Sequence, residues 1–188
     1  MKKINLGFAL CGSFCSISKA IEQIEKLSFI YNIIPIISKN LASIDTRFGK
    51  CSDIKNEIKQ ICKNPIIETI SESEPIGPKN IVDIMAICPC TGNTLSKISH
   101  AITDTSVTMA AKSHLRVQKP LVICLSTNDA LGASAENLAR ALNTKNIYFV
   151  PMYQDDPIKK PNSLVAEFDK LSETIELALE KKQIQPIF

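Results

Sequence analysis

Apolar runs of strand length alternate with amphipathic stretches along this chain, and few folds accept that alternation. Residues 4–10 read as a first strand. The helix after it carries Phe14, Ile17, Ile21, Ile24 and Leu27 on one face. Residues 33–37 read as a second strand, with Pro35 confined to a place that needs no amide donor. Ile54, Ile58 and Ile61 mark a short helix stopping before Pro65, and residues 66–70 read as a weaker third strand. The apolar run from Ile81 that ends at Cys88 is the fourth. Helices are expected over 94–103, 106–117 and 134–142, strands over 121–125 and 147–150. A last helix carries Leu164, Phe168, Leu171, Ile175 and Ala178. Repeated β-α units with short connections imply an α/β fold: a parallel sheet of about six strands between two layers of helices.

The 188 residues suggest a single domain spanning 1–188. A net charge of +3 and the absence of Trp argue against a nucleic-acid platform. No apolar stretch approaches the length of a membrane span, and the charged start Met1-Lys2-Lys3 reads as leading into a strand rather than as a secretion signal. Seven scattered Cys suggest reduced thiols in a cytoplasmic protein. Their spacing, with only two His, fits no zinc pattern, so no metal is expected. Residues 154–162 read as an ordered flap.

Three polar turns fall at the same rim of the expected sheet. After the first strand comes Cys11-Gly12-Ser13-Phe14-Cys15-Ser16, where Gly12 allows close backbone approach and Ser13 and Ser16 offer hydroxyls. Ser38 follows the second strand. Cys88-Pro89-Cys90-Thr91-Gly92-Asn93-Thr94 then joins the fourth strand to a helix start, with Thr91, Asn93 and Thr94 as hydrogen-bonding groups. Open α/β sheets bind ligands outside the carboxyl ends of their strands, and helix starts favour anions, so these turns point to a phosphorylated ligand. The three-glycine fingerprint of dinucleotide binding is missing, which argues against a nicotinamide cofactor in this chain.

Gly12-Ser13, with Cys88–Leu95 leading into Ile102-Thr103-Asp104, resembles the flavoprotein superfamily of flavin-dependent cysteine decarboxylases and flavin prenyltransferases. Asp45-Thr46-Arg47-Phe48-Gly49-Lys50, Ser126-Thr127-Asn128-Asp129 and Asn143-Thr144-Lys145-Asn146 look more narrowly like the family of dipicolinate synthase B subunits, over nearly the whole chain. That resemblance implies a Rossmann-like α/β/α flavoprotein fold and FMN as cofactor. It implies a role in oxidising dihydrodipicolinate to dipicolinate in the mother cell of a sporulating bacterium. A separate A subunit would carry NADP, and a homo-oligomer, trimer-based, would be expected. Gly12, Ser13, Ser38, Thr91, Asn93 and Thr94 become expected flavin contacts, with Ser126 and Asn128 beside the ring system and Cys90 packed against it. The catalytic His of the decarboxylases and the Arg-Glu pair of the prenyltransferases are absent, which weakens both sister chemistries.

Arg47 and Lys50 sit in a polar loop at the ligand edge and are candidate anchors for a dicarboxylate. His100 is expected to pair with Asp104, and His114 to lie at the surface or a subunit contact. The apolar end, Pro186-Ile187-Phe188, suggests docking on a neighbour. With no evident acid, base or nucleophile, two readings compete: a redox flavoprotein subunit, and a non-catalytic module that docks its larger partner.

Overall fold

Leu6, Phe8 and Leu10 are completely buried, as are Ile84, Ile87, Leu121 and Ile123, because the strands that carry them are covered on both faces. The computed structural model describes residues 3–188. Strands β1 (Asn5–Leu10), β2 (Asn32–Ile37), β3 (Ile84–Cys90), β4 (Leu121–Thr127) and β5 (Ile147–Phe149) pair in parallel in the order β2-β1-β3-β4-β5. Helices α1 (Ile17–Ser28), α3 (Cys51–Cys62) and α8 (Leu171–Leu179) cover one face. The other is covered by α5 (Gly92–Ser99), α6 (Ser106–Arg116) and α7 (Ala135–Leu142), with the one-turn α4 (Ile70–Ser73) against α6. Helix α2 (Lys39–Ser43) follows β2. The three layers are those the β-α alternation implies.

Pro35 sits where the sequence places it. On the outer side of β2, Ile67 donates to the Pro35 carbonyl and accepts from Ile37, so no donor is missing toward β1. Several expectations need correction. Residues 66–70 contribute only an isolated bridge at Ile67, because Thr69 and Glu72 form a reciprocal capping box that turns the chain into α4. The strand before the Cys-Pro-Cys turn begins at Ile84 and runs through Cys90, two residues past Cys88, with a register shift between Ile87 and Cys90. Leu164 belongs to no helix: β7 (Leu164–Ala166) pairs antiparallel with the end of β4 and with β6 (Met152–Tyr153), so α8 starts only at Leu171.

The flap between β6 and β7 is held by its own contacts. Asp155 takes a 2.8 Å ion pair from Lys160 and a 2.7 Å hydrogen bond from Ser163. The C-terminal segment runs back along this chain and leaves the Phe188 side chain exposed. The Gln183 side-chain amide donates to the Phe149 carbonyl and accepts from its N–H, while Met152 N–H donates to the Ile187 carbonyl. The Gln183 pair caps the free edge of β5 at Phe149. No helix among the described residues is long and apolar enough to cross a membrane.

Candidate functional site

The sheet order turns outward at β1, with β2 on one side and β3 on the other, and a cavity of about 440 Å³ opens at the carboxyl ends of these strands. Gly12, Ser38, Thr91, Asn93 and Thr94 line it together, five of the residues expected from sequence. Ser38 N–H donates to the Leu10 carbonyl, which ties the β2 turn to β1. The Ser38 hydroxyl caps α2 by accepting from Leu41 N–H, and its own proton stays free to point outward. A Cβ on Gly12 would fall 3.5 Å from the Phe14 ring and 3.6 Å from Asn40, ordinary contacts at the cavity's edge. Glycine there keeps space open for a ligand instead of relieving a clash.

Thr91 caps α5, accepting from Thr94 N–H at 3.1 Å. The Thr91 hydroxyl donates to Thr94 Oγ1, and the Thr94 hydroxyl donates to Cys11 Sγ at 3.2 Å. Both protons are therefore used inside the protein. Outward-facing donors must come from Ser38, Asn93, the first-turn amides of α5 and the lysines nearby.

Ser13 and Ser126 meet one step along the rim. Ser13 donates to Ser126 Oγ at 3.2 Å, and Ser16 stands 3.0 Å from the same oxygen. Neither Ser13 nor Ser126 lines the 440 Å³ cavity, although Ser13 directly follows Gly12. Asn128 is exposed in the turn after β4. The Cys90 side chain is wholly buried and does not line the cavity. Burial pushes its thiol well above the ordinary range, and nearby Cys11 and Cys124 add to the effect. Cys11 is pushed up to about 11, again chiefly by burial. These thiols stay protonated and serve as packing.

Arg47 and Lys50 are exposed and do not reach this cavity. Thr46 and Gly49 exchange backbone hydrogen bonds, a tight turn for which Gly49 adopts φ of 147°. The Arg47 guanidinium lies 4.8 Å from the Phe48 ring centroid. Phe48 borders a separate cavity of about 320 Å³ with Phe14 and Ile21, and Glu22, Glu25 and Glu57 also line it. Three carboxylates make that second cavity unfavourable for a dicarboxylate.

Sequence reasoning missed Lys39, Asn40, Lys97, Asp104 and Thr105, all of which line the 440 Å³ cavity. Asp104 was expected to pair with His100, but α5 ends at Ser99, so the helical spacing does not carry across. Asp104 instead accepts from Lys97 through both oxygens, at 2.9 and 2.8 Å. The Lys97 ammonium holds the Asp104 carboxyl below its usual range. His100 Nδ1 turns to the Ser96 carbonyl at 2.9 Å.

Residues 1–176 match the family described as Flavoprotein. The chain belongs to the flavoprotein family. It is 45% identical, over all of its own length and 94% of the relative's, to the B subunit of dipicolinate synthase from Bacillus subtilis (strain 168). Among solved structures, the dipicolinate synthase B subunit from Bacillus halodurans C superposes with a TM-score of 0.90 at 45% identity, covering 100% of this chain and 97% of that one. The FMN binding protein AtHal3 shares the flavoprotein fold at 17% identity and a TM-score of 0.72, over 97% of this chain and 100% of that one.

Proposed function

We propose that this flavoprotein is the FMN-binding B subunit of a dipicolinate synthase and takes part in oxidising dihydrodipicolinate to dipicolinate. One observation carries the reading. In a chain 45% identical end to end to a dipicolinate synthase B subunit, the turns after β1, β2 and β3 line a common cavity of about 440 Å³. Its donors suit a phosphomonoester: the free Ser38 proton, the Asn93 amide and the first-turn amides of α5, whose dipole favours negative charge. Gly12 leaves the approach open, and the hydroxyl cluster of Ser13, Ser16 and Ser126 would lie beside the ring system. FMN, when bound, supplies an acceptor for the hydride equivalents that a dihydropyridine loses on becoming aromatic. This chain's residues bind and orient.

Mixing the purified chain with the A subunit, NADP and dihydrodipicolinate, with and without FMN, tests the reading. Turnover that requires both proteins and rises with FMN is expected. Full activity from the A subunit alone would remove this protein from the reaction. The competing docking-module reading draws on one observation: Cys11 and Cys90 are buried protonated thiols, and His100 and His114 lie away from the cavity. A flavin-free chain that fully supports its partner would establish it.

A further inference from the structure

Fixed hydrogen bonds limit what the cavity can offer to a phosphate. The Thr91 and Thr94 hydroxyls, the obvious phosphate donors in the sequence, direct their protons to Thr94 Oγ1 and Cys11 Sγ. As they stand, they present only lone pairs, which repel a phosphate oxygen. Neutral donors remain in Ser38 and Asn93, but a phosphomonoester brings about −1.5 to −2 charges at neutral pH. The charges lining the cavity are Lys39, Lys97 and Asp104.

The two lysines differ in status. Lys39 makes no ion pair or side-chain hydrogen bond among the described residues, so its charge is uncompensated. Lys97 gives two of its three N–H groups to Asp104 Oδ1 and Oδ2, and its side chain is 22% exposed. The third N–H is free, and the pair fixes where the ammonium stands. The cavity thus holds a net charge of +1 from these three groups, with one unpaired and one positioned cation.

Resting on the flavin reading above, we propose that Lys39 and Lys97 make this site select a phosphorylated flavin over its dephosphorylated form, with Asp104 as the positioning residue for Lys97. Lys39 supplies the counter-charge. Lys97 supplies a directed, charge-assisted hydrogen bond. Asp104 prevents Lys97 from swinging into solvent.

Titrations of the full chain with FMN and with riboflavin, followed by quenching of flavin fluorescence, provide the test. Wild type should bind FMN more tightly than riboflavin, with an affinity that falls as salt rises. Lys39→Gln should lose about tenfold in FMN affinity, the worth of one charge-assisted contact, and leave riboflavin affinity unchanged. Its salt dependence should be shallower, and Lys39→Arg should keep most of the preference. Lys97→Gln should lose more than Lys39→Gln, because it also leaves the Asp104 carboxylate facing the phosphate. Asp104→Asn should reduce the preference without changing riboflavin binding, a readout that loss of packing alone would not produce. Equal losses for both flavins, or undiminished preference in Lys39→Gln and Lys97→Gln, would overturn the assignment of the lysines while the flavin reading stands. A wild type that binds neither flavin would overturn both.

Discussion

His114 gives the structure a pH dependence that can be worked out before measurement. It is completely buried on α6 beside the apolar face of Val107, Ala110 and Ala111. Its Nε2 lies 2.9 Å from the Pro120 carbonyl, an acceptor, so Nε2 carries the proton and Nδ1 is bare. No partner for Nδ1 exists among the described residues. A second proton would place a charge there with nothing to receive it. Burial pushes the imidazole down to about 4 from its ordinary 6.5; Lys119 pushes the same way, while the Pro120 bond and Asp83 oppose. The folded state therefore resists a proton that the unfolded chain accepts. Its stabilising contribution is complete above pH 6.5 and is lost as the pH falls toward 4. Linkage gives a loss of about 2 kcal/mol between pH 7 and pH 5. The lowered carboxyls of Asp104, Asp155 and Asp169 act below their ordinary 3.8, outside this window. Urea unfolding at pH 7, 6 and 5 measures the slope, and His114→Gln, which cannot titrate, should flatten it. An unchanged slope in that variant would refute the assignment of the effect to His114.

Gly77→Ala should destabilise by about 1–3 kcal/mol in thermal or urea unfolding, because its Cβ would overlap the Ser113 carbonyl oxygen and force α6 away. Gly12→Ala should fold with nearly unchanged stability, since a Cβ there meets only ordinary contacts, yet lower FMN affinity in a titration by narrowing the cavity's edge. As the proposed substrate anchor, Arg47→Ala should weaken dicarboxylate binding, and it should leave flavin binding intact because Arg47 does not line the cavity. Unchanged dicarboxylate affinity in calorimetry removes Arg47 from that role.

The five parallel strands were legible because each is buried on both faces and so reads as an unbroken apolar run. β6 and β7 were not, since two- and three-residue strands leave no periodicity, and Leu164 stands four residues before Phe168 as a helical residue would. The false strand at 66–70 overlooks a local signal, Thr69-x-x-Glu72, that outweighs β propensity there. A surface position for His114 overlooks the Val107, Ala111 spacing that it continues; its burial depends on a single backbone acceptor, Pro120, beyond the end of its helix. At the cavity, small turn residues betrayed themselves by type. Lys39 and Lys97 did not, because a lysine beside a ligand and one in solvent look alike until the strand ends are assembled.

A crystal structure of the chain grown with FMN tests the central claim most directly. The phosphate should lie between the Ser38 and Thr91–Thr94 turns, within hydrogen-bonding distance of Asn93, with the ring system toward Ser13 and Ser126. Flavin bound at another face of the sheet, or this cavity left vacant at saturating FMN, would contradict the account.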